Sequence, residues 1–196
     1  MAPHTPAMLP ASGRIHVLGA GPVGLMLTAL LQTMDGYSVH LYEKRREYTR
    51  TRMVRLAPYL VADSAESYAR DHIDGETVAA VFDPQELDGR LEFRRSIAPD
   101  LMALLREWSQ GFCPLNSIER ALSGLIDERP AGTVERQTGV VTVDDAMAML
   151  DPGDILVDCT GCASILRNRM VPGGTGAEDD ANTLNIRQQT VKCLWT

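Results

Sequence analysis

The stretch from Arg14 to Arg45, RIHVLGAGPVGLMLTALLQTMDGYSVHLYEKR, constrains the fold of this chain more than any other. Ile15, Val17 and Leu18 make a short apolar run of the kind that forms a buried strand. Gly19, Gly21 and Gly24 follow at G-x-G-x-x-G spacing. The first allows a tight turn off the strand, the second lets backbone approach a pyrophosphate, and the third lets the next helix pack closely on the sheet. Pro22 suits the first turn of that helix, where its missing N–H leaves nothing unpaired. Leu25, Leu27, Ala29, Leu30, Leu31 and Met34 give the helix broad apolar cover, with Gly36 as its stop. Val39, Leu41 and Tyr42 then make a second strand ending at Glu43, where an acid can accept hydrogen bonds from an adenosine ribose. Strand, glycine turn, helix, strand and acid in this order predict an α/β domain with a parallel, Rossmann-like sheet and a dinucleotide site. The plain alternative is a glycine-rich turn beside a surface glutamate.

The rest of the composition narrows the setting. With 26 acidic against 19 basic residues the formal net charge is −7, and no basic stripe exists, which argues against nucleic acid as a partner. The helix after Gly24 is apolar for too short a run to span a bilayer. The opening MAPHTPAMLPAS has no basic region leading into a long apolar one, so it does not read as a secretory signal; its prolines predict a disordered lead-in over residues 1–13. Cys113, Cys159, Cys162 and Cys193 are too scattered for a disulfide framework, which points to a reducing cytoplasm. Cys159 and Cys162 have C-x-x-C spacing but no second pair and no nearby histidine, so they read as small residues packing at a strand end and not as a metal site. His16 and His40, in the two strands, read as structural.

After Glu43 comes a basic run, Lys44, Arg45, Arg46, Arg50, Arg52 and Arg55, beside the expected pyrophosphate position. A charge run is usually a solvated face, but arginines here can neutralise phosphate bidentately. Pro58 breaks or starts an apolar segment over 56–61. Residues 65–72 read as a short helix, Asp83-Pro84 and Asp88-Gly89 as turns, and 91–94 as an alternating strand. Leu101, Leu104, Leu105 and Trp108 share one face of a helix over 99–108. Asn116 is placed to cap a helix with Glu119 at N3, ahead of an apolar stripe of Ile118, Leu122, Leu125 and Ile126. Residues 134–137 and 140–143 read as two strands around Thr138-Gly139, 144–150 as a short helix or irregular arm, and 151–154 as a turn. A buried strand over 155–157 runs into Asp158-Cys159-Thr160-Gly161. Residues 164–170 read as a helical turn bearing Arg167 and Arg169, and 173–180 as a flexible loop, with strand-like stretches over 184–195.

These residues resemble a known family: FAD-dependent aromatic hydroxylases and their relatives with the p-hydroxybenzoate hydroxylase fold. GAGPVGL and the strand ending in Glu43 are shared with the whole family, while EKRREYTRTRMVRLAP is most similar to MICAL-type flavoprotein monooxygenases. The resemblance implies FAD contacts along the turn at Gly19, Gly21, Pro22, Val23 and Gly24. It implies the ribose contact at Glu43, and adenosine and pyrophosphate contacts among Lys44, Arg45 and Arg50 or Arg52. The helix opening at Asn116-Ser117-Ile118-Glu119-Arg120 resembles the segment that approaches the ribityl chain, with Asn116 or Arg120 in that role. ILVDCTGCASILR resembles the family strand ending in D-G or T-G, which implies contacts at Thr160 and Gly161; Thr160 stands where the fuller motif has an aspartate that also serves the nicotinamide.

What the resemblance implies is an NAD(P)H-dependent monooxygenase in which reduced FAD activates oxygen to oxidise a small organic, for example aromatic, substrate. It identifies no catalytic side chain. Residues 14–170 would be the FAD-binding, Rossmann-like domain, and 171–196 a loop and the start of a substrate-domain strand. Family members are about twice as long and close the site with a later Gly-Asp segment; no Gly-Asp-Ala-like segment occurs here. The fold is therefore expected to be incomplete relative to the full monooxygenase, needing further segments or a second polypeptide. The alternatives are a non-catalytic or partner-completed flavoprotein subunit and, third, an NAD(P)-dependent dehydrogenase.

Overall fold

A computed structural model describes residues 13–34, 36–64, 67, 84–129, 134–139, 141–161 and 164. The expected helix over 65–72, Cys162, the arginines at 167 and 169, and everything proposed for 1–12 and 165–196 lie outside the described residues.

Four parallel strands make the main sheet. These are β1 (Gly13–Leu18), β2 (Tyr37–Glu43), β5 (Val134–Thr138) and β6 (Ile155–Asp158), in the order β5-β2-β1-β6. A short antiparallel pair, β3 (Met53–Val54) with β4 (Cys113–Pro114), stands apart from it. Among the described residues the helices are α1 (Pro22–Leu31), α2 (Pro84–Ser96), α3 (Pro99–Gln110), α4 (Leu115–Glu128) and α5 (Val143–Ala148), with a 3-10 turn at Pro58–Val61. A four-stranded parallel sheet flanked by helices is compatible with a Rossmann-like fold, and the three strands expected to be neighbours in it are so. Ile15 lies opposite both Val39 and Ile155, so β1 is the central strand of that trio.

Strand alternation sorts the core. Ile15, Val17, Val39 and Leu41 point to the face covered by α1, α3 and α4, where Leu25, Ala29, Leu101, Leu105, Trp108, Ile118, Leu122 and Ile126 complete one buried cluster. Both expected helical stripes are found there. Arg129 fastens this layer: its guanidinium makes two hydrogen bonds to Asp100, at 2.8 and 3.0 Å, and another to the Ala29 carbonyl. On the opposite face Leu18 and Tyr42 pack with Ala146 of α5.

Several local expectations give way. Helix α1 ends at Leu31 and not at Gly36; Thr33 and Met34 close tight i−3 hydrogen bonds, and Gly36 turns the chain at φ 88 into β2. Residues 91–94 and the expected turn at Asp88-Gly89 are helical, within α2. Val141 and Thr142, expected in a second strand over 140–143, are not in a strand, and Val143 opens α5, the short helix expected over 144–150. There Thr142 and Asp145 form a reciprocal capping box, with the Thr142 hydroxyl accepting from the Asp145 N–H at 3.2 Å and Asp145 accepting from the Thr142 N–H at 3.0 Å. Strand β5 pairs in parallel with β2 instead. Asn116 is not the cap of α4; Pro114 holds that position, and the Asn116 N–H donates to the Arg50 carbonyl at 2.8 Å.

The other face of the sheet is polar toward the N-terminal ends of its strands. Arg14 reaches both Asp151 and Asp154, the latter at 2.8 Å, which ties β1 to the turn that precedes β6. The backbone N–H of Asp151, opposed by partial burial and reinforced by Arg14, holds the Asp154 carboxyl at about 2. His16 is buried, 2.9 Å from the Tyr42 hydroxyl and 3.4 Å from Asp154, and stacks on His40 at 5.0 Å. Burial lowers the His16 pKa, and the Asp154 contact only partly offsets it. His16 is therefore neutral when folded, and protonating it favours the unfolded chain. Stability should be full above an ordinary histidine pKa of about 6.5 and fall as the pH drops below it, by at most about 1.4 kcal/mol per pH unit. Urea unfolding at pH 7.5 and 5.5 checks this: the midpoint should be lower at 5.5, and His16→Gln should shrink the difference. An undiminished difference in that variant would remove His16 as its source.

Candidate functional site

The chain runs from β1 outward through β2 to β5, then returns to β6 on the far side of β1. That reversal opens a crevice beyond the carboxyl ends of β1 and β6, the position where open parallel sheets bind ligands. A cleft of about 280 Å³ lies there. Gly19, Gly21, Pro22 and Val23 of the glycine turn line it, as do Glu43, Lys44, Arg45 and Arg50 from the segment after β2. Thr160 and Gly161, after β6, close the third side. Ten of the expected contact residues are thus brought together.

The three glycines do different work. Gly19 has φ 94, and a Cβ there would crowd the Cys159 carbonyl at 3.0 Å. At Gly24 a Cβ would collide with the Gly19 carbonyl oxygen and press on Cys159 Cβ at 3.2 Å. Gly24 therefore does not line the cleft; it lets α1 lie against the strand end. At Gly21 the nearest atom to a Cβ is Arg45 Nη2 at 3.9 Å, so the space beside this glycine belongs to the cleft. Gly21 is also the N-cap of α1, without a side-chain cap and without an acid in the first turn. An uncapped helix start with room beside it suits an anion.

Glu43 carries the one carboxylate in the lining. Arg45 holds it with its backbone N–H at 2.8 Å, its Nε at 3.1 Å and its Nη2 at 2.9 Å. Burial raises the Glu43 pKa, but the hydrogen bonds from Arg45 outweigh it and leave the carboxyl below its usual value. It is an ionised acceptor at neutral pH. The same Nη2 lies 3.5 Å from Oε1 of Glu119, a residue of α4 with 0% exposure whose Oε2 has no hydrogen-bond partner. Its spacing from Asn116 suggests position N3 of a capping box, and nothing in that spacing separates this role from the one found.

The remaining expected contacts stand outside the lining. Arg52 offers its carbonyl to the Leu115 N–H at 2.9 Å, and Arg120 donates to the Tyr48 carbonyl at 3.1 Å. Asn116 is fixed to Arg50 through its backbone, which docks the basic segment on the start of α4. Arg55 is turned away, donating to the Ser109 carbonyl at 3.2 Å. The Thr160 hydroxyl is committed to Asp158 at 2.5 Å, and Asp158 also accepts from the Thr160 N–H and the Ser164 hydroxyl. Asp158 thereby shapes the loop that closes the cleft, a role missed in the sequence although short-range Asx geometry is a known signal. Leu18, Tyr42, Gly139, Val141 and Cys159 complete the lining and were also missed. Gly139 is brought in by its N–H, which donates to the Glu43 carbonyl at 3.0 Å. Among the described residues no group of His, Cys, Asp and Glu could hold a metal ion, and no helix is long and apolar enough to cross a membrane.

No model of a known protein family matches the chain, and no curated protein matches it either.

The glycines can be separated by substitution. Gly24→Ala should cost about 3 kcal/mol or more, because backbone and not a flexible side chain is in the way. Gly21→Ala should cost less than about 1 kcal/mol, the scale of a weakened N-cap. Urea unfolding of both variants tests the division, and equal losses would refute it.

Proposed function

We propose that this chain is the FAD-binding portion of an NAD(P)H-dependent flavoprotein monooxygenase. The observation that carries the reading is the meeting, at the strand-order reversal, of an ionised carboxylate, an open glycine turn and an unpaired arginine in one cleft. Glu43 is placed to accept from the ribose hydroxyls of the adenosine half. Gly21 and the first turn of α1 offer space and backbone N–H groups to the diphosphate, and Arg50 offers a charge. Val141 and Gly139, on the far side of Glu43, suit the adenine ring. When bound, FAD would supply the redox and oxygen chemistry; the residues named here bind and orient it.

The likeness of EKRREYTRTRMVRLAP to MICAL-type enzymes favours flavin over a nicotinamide dinucleotide, which would offer the same adenosine and diphosphate. On this reading the residues that hold the isoalloxazine ring and shelter the substrate come from further segments or from a second polypeptide. Water exclusion around the reduced flavin then depends on them. A chain acting without them should give at most uncoupled NAD(P)H oxidation.

Titration of the purified chain with FAD, followed by flavin fluorescence and with NADH and NADPH in parallel, tests the proposal. FAD should bind in preference to either nicotinamide nucleotide. Glu43→Ala should weaken FAD by about tenfold or more, since a hydrogen bond to a charged group is worth on the order of 1.5–3 kcal/mol. Equal FAD affinity in variant and wild type would overturn the ribose assignment, and tighter binding of NADPH than FAD would favour the dehydrogenase reading.

A further inference from the structure

Three cations line the cleft, Lys44, Arg45 and Arg50, and they are not equivalent. Among the described residues Lys44 and Arg50 have no acidic partner, whereas Arg45 lies between two carboxylates. One guanidinium is thus shared between two acidic side chains before any diphosphate arrives. Its Nη2 is the atom that a Cβ at Gly21 would approach most closely, at 3.9 Å, and that nitrogen is the one shared between Glu43 Oε2 at 2.9 Å and Glu119 Oε1 at 3.5 Å. Its plane is further held over the Tyr48 ring, 5.7 Å from the centroid. Moving Arg45 onto a phosphate would leave Glu119, fully buried and already short of one partner, with no cation at all. A buried carboxylate stripped of its partner is strongly destabilising. The fork that grips Glu43 fixes both carboxylate oxygens in the plane of the guanidinium and so fixes the lone pairs left for a ligand.

Building on the ribose assignment of Glu43, we propose that Arg45 and Glu119 are a positioning pair: Glu119 anchors Arg45, Arg45 aims the Glu43 carboxylate at the ribose, and the diphosphate is neutralised by another cation. The site thus recognises a cis-diol-bearing nucleoside through a Glu–Arg–Glu chain that runs from the half-buried end of β2 to the buried Glu119 of α4.

Two probes separate the roles, adenosine, which has the ribose alone, and ADP, which adds the diphosphate. Affinities of the full chain for both are measured by ligand-observed NMR at two salt concentrations. Arg45→Lys keeps the charge and loses the fork. It should weaken adenosine and ADP alike, by about tenfold, and should do nothing further in a Glu43→Gln background. Glu119→Gln should lower adenosine affinity severalfold, again only while Glu43 is present. Arg50→Gln should weaken ADP alone and flatten its salt dependence. If Arg45→Lys fails to fold, the paired Arg45→Gln and Glu119→Gln variant leaves no carboxylate buried alone and gives the same comparison. A loss at Arg45 confined to ADP, or one that persists in full without Glu43, overturns the proposal while leaving the nucleotide site intact. A wild-type chain that binds neither probe overturns the reading of the site itself, and the positioning pair with it.

Discussion

The ligand side of this molecule depends on how closely α1 approaches the end of β1. The contact leaves no room for a side chain at Gly24, whose backbone lies against the Gly19 carbonyl and Cys159. Because the helix is drawn in there, its uncapped first turn borders the cleft beyond the ends of β1 and β6. Hydrogen bonds at the strand ends hold the same place: the Gly19 N–H donates to the Tyr42 carbonyl and the Cys159 N–H to the Leu18 carbonyl, both at 2.8 Å. Ladder pairing therefore continues past the strands proper, and the three chain segments that line the cleft are fastened to each other before any ligand is present. Such pre-organisation reduces what a ligand must order on binding.

Where one physical cause decided a local structure, the sequence made it legible. Glycine spacing, the apolar stripes of α3 and α4 and the apolar triplet of β6 each answer to a single requirement, and each is where the residues suggested, although the β6 triplet is half-buried and not buried. Failures occurred where two causes competed. Residues 91–94 alternate, yet four residues cannot distinguish a strand from one turn of helix, and α2 absorbs them. Strand propensity around Val141 lost to the reciprocal cap between Thr142 and Asp145. Asn116 and Glu119 have the spacing of a capping box, but Asn116 has its N–H on the Arg50 carbonyl and Glu119 points into the core toward Arg45. The binding cleft was half visible for the same reason. Most residues of the glycine turn and of the segment from Glu43 onward were legible, whereas Gly139 and Val141 follow β5, which reaches the cleft through its pairing with β2.

Sheet faces divide the labour. The face toward α1, α3 and α4 is apolar and holds most of the core. Its opposite carries Arg14, His16, His40 and Tyr42, with Asp151 and Asp154 from the turn before β6 and Glu135 paired to His40 at 2.9 Å. Arg14, Asp151 and Asp154 lie toward the amino ends of the strands, away from the cleft that Tyr42 lines, and the Arg14 contacts join β1 to the turn before its neighbour β6. Shifting β6 by one residue would move Asp154 away from Arg14 and exchange the two faces of the strand. The polar pairs thus help fix which residues of β6 reach the far end, and with them the position of Thr160 and Gly161.

A charged chain through the interior links that scaffold to recognition. Glu43 ends β2, Arg45 follows it, and Glu119 belongs to α4, the helix that also packs Ile118, Leu122 and Ile126 into the core. Buried ionic groups of this kind seldom contribute more stability than apolar residues of the same volume. Their geometric demand is stricter, since a guanidinium fork and two carboxylates fit together in few arrangements. Apolar packing would hold α4 against the sheet but would tolerate small shifts along it. Replacing one such contact by Arg45–Glu119 ties the end of β2 to a particular turn of α4. The same turn-to-strand connection is repeated in the backbone, through Arg50 and Asn116. The basic segment between them is thereby held at both ends, and Arg50 faces the cleft because its neighbours leave it little else to face.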